Sequence, residues 1–114
     1  MEQKDNHMKL VEFLGDSLSE IRDFPDDARQ MVGYQVDRLQ RGLEPDHWKP
    51  MSTIGAGVRE IRIRELSGAF RVIYIATLPA KVVILHAFQK KTQRTAKQDI
   101  QLATERLSEF LRRK

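Results

Sequence analysis

The sequence predicts an α+β domain in which a mostly antiparallel sheet carries two helices from the N-terminal half and one from the C-terminal end, in the order β-α-α-β-β-β-α. Three observations predict it. Between residues 58 and 88, three strand-like runs follow one another with turns so short that they favour antiparallel pairing. Apolar residues recur at helical spacing on either side of that block. The chain has 114 residues and 13.3 kDa, room for one core, and no Pro/Gly-rich linker divides it. Residues 1–8 read as a disordered tail and residues 9–114 as the single domain.

Lys9–Leu14 (KLVEFL) is apolar enough for a short edge strand, and Gly15 breaks it. Ser17 and Glu20 fit the capping pattern S-x-x-E, with Leu18, Ile21 and Phe24 as the buried stripe. This helix must be short, because Pro25 disfavours helical geometry at Phe24. Pro25 suits the first position of a second helix, with Asp26 and Asp27 at its positive end. Ala28, Met31, Val32, Gln35, Val36 and Leu39 continue it, and Gly42 is the expected stop.

Residues 43–57 hold two prolines and two glycines and read as a loop, with Trp48 as a core plug rather than a recognition residue. In Val58–Arg64, Ile61 and Ile63 face one way while Glu60, Arg62 and Arg64 face the other. Ser67–Gly68 turns the chain. Phe70–Thr77 is apolar on both faces except for Arg71, as a central strand would be. Leu78-Pro79-Ala80 turns it again into Lys81–Phe88, with His86 near the end. Thr92 or Thr95 can cap the last helix, Thr95 with Gln98 forming a second capping pattern, followed by the stripe Ala96, Ile100, Ala103, Leu107, Phe110 and Leu111.

Composition excludes several functions. With no cysteine there is no disulfide, thiolate zinc site or cysteine nucleophile, which suits a reducing cytoplasm. No apolar run approaches the ~18–20 residues that span a bilayer. The polar start MEQKDNH reads as no secretory signal, so a cytoplasmic location is expected. The net charge of +4 is unevenly laid out. Residues 1–48 carry a balance of −5, residues 49–97 one of +8, and residues 98–114 one of +1. A central segment that basic implies a polyanion, an acidic partner protein, or both. The alternative is a solvated basic face.

Two sets of residues could carry chemistry. Arg62 and Arg64 share one face of their strand, about 7 Å apart by strand rise, and Arg71 begins the neighbouring hairpin strand. Three guanidiniums there could grip phosphate through planar bidentate donors. The alternative for this set is an ordinary solvated sheet face, or pairing with Glu60 and Glu65. Arg71 is the stronger case, since a charge in an apolar strand is costly without a partner. The second set is His86, Phe88, Lys90, Lys91 and Arg94, in HAFQKKTQR. An aromatic followed by a basic run can stack a base and hold adjoining phosphates. Lysine among cations can also transfer protons. Against this stand a basic loop with Phe88 in the core, and a hydrogen-bonded core role for His86.

His7, His47 and His86 have no metal-ligand spacing, and there is no P-loop, dinucleotide fingerprint or nucleophile elbow. No metal or other cofactor is expected.

GVREIRIRELSGAFRVIYIA followed by VVILHAFQKKTQRTAKQDIQLATERLSEF resembles the RelE/ParE toxin superfamily, and within it the phage-derived, HigB-like branch. The resemblance covers about Met8 to Arg112. Its sharpest parts are the R-x-I-R strand, the G-x-[FY]-R-[VI]-x-Y strand and the H-x-F-x-K-K-T-x-[KR]-T junction. It implies a RelE-like α+β toxin of a type II toxin–antitoxin system. Many relatives are metal-free endoribonucleases that cleave mRNA, often on the ribosome, and a cognate antitoxin neutralises them, here expected to be a small helix-turn-helix protein from an adjacent gene.

The family arginine falls on Arg71, at the transition-state phosphate, and the basic residue of the preceding strand falls on Arg62. The basic pair falls on Lys90 and Lys91. His86 and Phe88 lie near positions of proton-transfer or stacking groups, and Arg64, Phe88, Arg94 and Lys97 are the expected RNA contacts. The chain lacks the tyrosine that the best-known ribonucleases carry after the basic run, which leaves the general base unassigned. Relatives that inhibit DNA gyrase share the fold without cutting RNA. A non-catalytic inhibitor of a protein target, or a phage-derived remnant, is therefore the competing expectation.

Overall fold

A computed structural model of the chain describes residues 8–113, so residues 1–7 of the expected tail lie outside the described residues. The elements are β1 (Leu10–Phe13), α1 (Ser17–Arg22), α2 (Asp26–Gln40), β2 (Trp48–Pro50), β3 (Val58–Glu65), β4 (Gly68–Ile75), β5 (Lys81–Lys90) and α3 (Lys97–Arg112). The sheet runs β1-β5-β4-β3-β2, with β1 parallel to β5 and the other pairs antiparallel. The α+β class, its three helices and its mostly antiparallel sheet are as expected, and β4, apolar on both faces, is the central strand.

The short strand β2 is a correction to the loop expected over residues 43–57. Trp48–Pro50 pairs with Glu60 and its neighbours on β3, and the proline is tolerated because the strand is an edge. Trp48 is no core plug either. It is half-buried on this edge, with the Arg59 guanidinium 3.9 Å above its ring.

The helix starts also differ from expectation. Asp16 stands at the N-cap of α1 and makes no side-chain cap bond. Ser17 is fully buried and donates to the carbonyl of Ile84, while Glu20 turns away from the cap altogether. Pro25 is the N-cap of α2 instead of its first residue, and Ala96 is the N-cap of α3, leaving Thr95 free to donate elsewhere. Tertiary partners win these side chains, since a buried carboxylate or hydroxyl needs a partner more than an exposed helix end does. Gly42 stops α2 as expected. Its φ of +82° is the left-handed C′ position, and the Leu43 amide closes back onto the Arg38 carbonyl at 2.9 Å.

Each face of the sheet has its own core. Ile61, Ile63, Phe70, Val72, Tyr74, Val82 and Ile84 pack with Ile21, Phe24, Ala28, Val32, Val36 and Leu39 of α1, α2 and their junction. Val58, Ile73, Ile75, Val83 and Leu85 pack on the other side with Ala103 and Leu107 of α3. Each such side chain contributes roughly 1.5–3 kcal/mol when fully buried. A one-residue slip would exchange the two sets, so burial on both faces fixes the register. Because α3 starts only at Lys97 and covers one end of its face, the other end, at the β3–β4 hairpin, is left bare of helix.

Candidate RNA-binding groove

The strand register aligns side chains in rows across the α3 face. Glu60, Ile73 and His86 make one row, Arg62, Arg71 and Phe88 the next, and Arg64, Ala69 and Lys90 the last. Strands lie ~4.8 Å apart and rows ~7 Å apart, so the guanidiniums of Arg62, Arg64 and Arg71 crowd one small area. Ala69 offers only a methyl group to fill the last row. The result is an open groove of about 510 Å³ lined by Arg62, Arg64, Ala69, Arg71, Lys90, Lys91, Thr92 and Gln93. Arg62, Arg64 and Arg71 also border a cleft of about 610 Å³ that continues over the free end of β3 to Met31, Gln35, Asp46 and His47. Its far wall is braced, since Gln35 and Asp46 exchange two hydrogen bonds of 2.9 Å.

Arg71 is the pivot of the groove. It is 4% exposed, and Glu60, fully buried behind it, holds a carboxylate oxygen 3.5 Å from its Nε. That is an ion contact without hydrogen-bond geometry, and neither atom has another partner. Nη1 donates to the Phe70 carbonyl at 3.1 Å, and Nη2 makes no hydrogen bond among the described residues. Burial pushes the Arg71 proton affinity down, Glu60 opposes this, and Arg62 and Arg64 add to it. Guanidinium nonetheless remains the charged form at neutral pH. Lys90 is held below the ordinary lysine range, first by burial and then by Arg71, with Glu60 opposing and Arg62 and Lys49 adding. Its ammonium donates to the carbonyls of Thr92 and Gln93, in the loop that forms one wall of the groove.

Five of the expected site residues therefore meet: Arg62, Arg64, Arg71, Lys90 and Lys91. Phe88 and Arg94 lie across the loop from them, in a hollow of about 380 Å³ that also touches Lys90 and Lys91. Lys97 is exposed at the first turn of α3 and lines neither hollow. His86 is buried outside the groove, with both ring nitrogens engaged. Its Nδ1 lies 2.9 Å from Glu20 and its Nε2 2.7 Å from Asp99, and it is 4% exposed. Burial opposes the charged ring, but the two carboxylates win and raise its proton affinity. Phe88 stacks on it, with centroids 5.1 Å apart.

Glu20 also accepts both Nη atoms of Arg106, at 3.1 and 3.0 Å, and the Ala87 amide at 3.1 Å. This network closes the edge of β5 where β1 ends and joins it to α1 and α3. Sequence reading missed Glu20, Asp99 and Arg106, whose partners lie up to 86 residues away. It also missed what Glu60 and Thr95 do. The one signal within reach was an acidic residue on the same face of β3 as two arginines.

Among the described residues, no group of three or more His, Cys, Asp or Glu is arranged to hold a metal ion, and no helix is long and apolar enough to cross a membrane. The fold is that of a RelE toxin. A double arginine mutant of Escherichia coli toxin RelE in the free state superposes with a TM-score of 0.61 over 90% of this chain and 97% of that one, at 12% identity. The chain belongs to the family described as phage derived protein Gp49-like (DUF891), whose model matches residues 19–108, a RelE/HigB-like toxin family. No curated protein matches the chain.

Proposed function

We propose that the chain is the toxin of a type II toxin–antitoxin system and that it cleaves mRNA in the groove around Arg71. One observation carries the reading: a groove whose charged lining is entirely cationic, with a buried arginine at its centre that keeps an Nη2 without a partner. Such a lining suits an anionic phosphodiester and opposes cationic ligands. In the reaction, the ribose 2′-oxygen attacks the adjacent phosphorus and the bond to the 5′-oxygen breaks. The products are a 2′,3′-cyclic phosphate and a 5′-hydroxyl. Arg71 and Arg62 take the charge that builds on the phosphate oxygens. Lys90, whose proton affinity burial and then Arg71 lower so that it gives up its proton more readily, and Lys91 serve the proton transfers at the 2′- and 5′-oxygens. Arg64 holds the flanking backbone, and Phe88 and Arg94, in the hollow across the loop, with the exposed Lys97 beyond it, are further RNA contacts. Side chains alone run this chemistry. The same cations would bind RNA at large in a cell, so the cognate antitoxin covers them with an acidic segment or holds the toxin where RNA cannot reach.

Expression without the antitoxin should arrest growth. The purified chain should cut RNA in EDTA, alone or on ribosomes washed free of the chelator, and leave cyclic phosphate ends. Arg71→Ala should lose at least about 100-fold in rate, the scale set by removing one transition-state donor, and should relieve the arrest. Growth arrest with RNA left intact in both settings would replace this reading with that of a toxin acting on a protein target.

A further inference from the structure

We propose that Glu60 is a positioning residue for Arg71, holding the guanidinium by its Nε side and fastening the 91–96 loop to the same carboxylate through Thr95. The inference rests on reading the groove as an RNA-cleaving site. Glu60 is 0% exposed, in the row next to Arg62 and Arg71. An apolar residue of similar size commonly serves stability as well as a buried ion pair or better, so stability is a weak reason for this one. The pair is also not built for strength, at 3.5 Å and without hydrogen-bond geometry. Placement accounts for it better. Left alone, the Arg71 guanidinium would be driven off by Arg62 and Arg64, its neighbours in the adjacent strand. The carboxylate behind it offsets that repulsion and takes the Nε side, which leaves Nη2 for a ligand.

The second oxygen of Glu60 accepts the Thr95 hydroxyl at 2.8 Å. Thr95 ends the loop whose Thr92 and Gln93 carbonyls receive the Lys90 ammonium and whose Lys91 lines the groove. One buried carboxylate thus sets the distance between the arginine and both lysines. A misplacement of about 1 Å between such groups can cost about 100-fold in rate without weakening binding.

The test uses the full chain as wild type, Glu60→Gln, Thr95→Val and Thr95→Ser, the last keeping the hydroxyl. Thr95→Val removes one solitary hydrogen bond at a half-buried position and keeps the experiment informative if Glu60→Gln unfolds. The Nε–H signal of Arg71 in a nitrogen–proton NMR spectrum, assigned by its loss in Arg71→Lys, should shift in Glu60→Gln and Thr95→Val and return in Thr95→Ser. Single-turnover cleavage should fall about 100-fold in Glu60→Gln and about 10-fold in Thr95→Val. Affinity for an uncleavable 2′-O-methyl RNA should stay within about 2-fold, and Thr95→Ser should cleave like wild type. An Arg71 signal unmoved in both variants overturns the proposal whether or not the chain cuts RNA. In a chain that cuts, wild-type rates in both variants, or losses of rate matched by equal losses of affinity, overturn it as well. A wild-type chain that cuts nothing defeats the ribonuclease reading, and the NMR result still decides the coupling of Glu60 and Thr95 to Arg71.

Discussion

Replacing Glu20 by Gln should destabilise the chain by about 3 kcal/mol at pH 7, and the loss should vanish in acid. Glu20 accepts from His86, from both Nη atoms of Arg106 and from the Ala87 amide. Burial alone would raise its pKa, but these donors overcome it and hold the carboxyl at about 2, against an ordinary 4.5. At ~1.36 kcal/mol per pH unit, that difference is worth about 3 kcal/mol at neutral pH, distributed over the whole cluster. Breaking a buried pair by removing one partner costs a similar roughly 3–5 kcal/mol. Because the folded pKa lies below the unfolded one, the stabilisation is complete above about pH 4.5 and is lost as pH falls through about 2. His86 has the opposite sign. Its proton affinity is raised on folding, so its contribution is complete below about pH 6.5 and is lost as pH rises through the folded value. Urea unfolding followed by circular dichroism, at steps from pH 2.5 to 8, measures both chains. The gap between wild type and Glu20→Gln should be widest at pH 5 to 6.5 and should narrow towards pH 2.5. A gap below about 1 kcal/mol at pH 6 would refute the reasoning, and so would one that does not change with pH.

Two other perturbations read different parts of the molecule. Gly15 has a φ of +53°, and a Cβ there would stand 2.5 Å from Nε of Arg106, the residue that clamps Glu20. Gly15→Ala should therefore cost roughly 1–3 kcal/mol, from backbone strain and from a displaced Arg106, and the cost should shrink in the Glu20→Gln background. Equal costs in the two backgrounds, measured by urea unfolding, would leave only the backbone term. Replacing Lys90 and Lys91 together with Ala should weaken binding of 2′-O-methyl RNA and flatten its dependence on salt, by about one unit of slope for each phosphate no longer neutralised. Unchanged affinity across several salt concentrations would make the junction a solvated surface.

What could be read from the sequence follows the range of the forces involved. The central strand declared itself because Val72–Ile75 is apolar on both faces, and alternation in β3 alone placed Arg62 and Arg64 together. Arg71 stood out as one charge in that apolar run. The helix caps misled, because S-x-x-E at Ser17 and T-x-x-Q at Thr95 are local patterns, and both side chains were claimed by strands 35 to 67 residues away. The strand β2 was illegible for a similar reason. Three residues ending in proline carry no period of their own, and only β3 gives them a partner.

The two buried charge clusters sit in adjacent rows of one sheet, and their hydrogen bonding separates their roles. Around His86, both ring nitrogens, both Glu20 oxygens, both Arg106 Nη atoms and the Ala87 amide have partners, and Arg106 also donates to the Leu85 carbonyl at 2.9 Å. Such a network is rigid, and a ligand could enter it only by breaking bonds already made. Around Arg71 the bonding is left open. Its Nε and one Glu60 oxygen face each other without a hydrogen bond, its Nη2 has no partner among the described residues, and the groove begins there. The buried Nε facing Glu60 costs stability in the free protein, while the open Nη2 is the donor that an anion in the groove can reach. Among the described residues, the histidine–carboxylate cluster thus holds β5 to α1 and α3, while the incompletely paired arginine lines the groove.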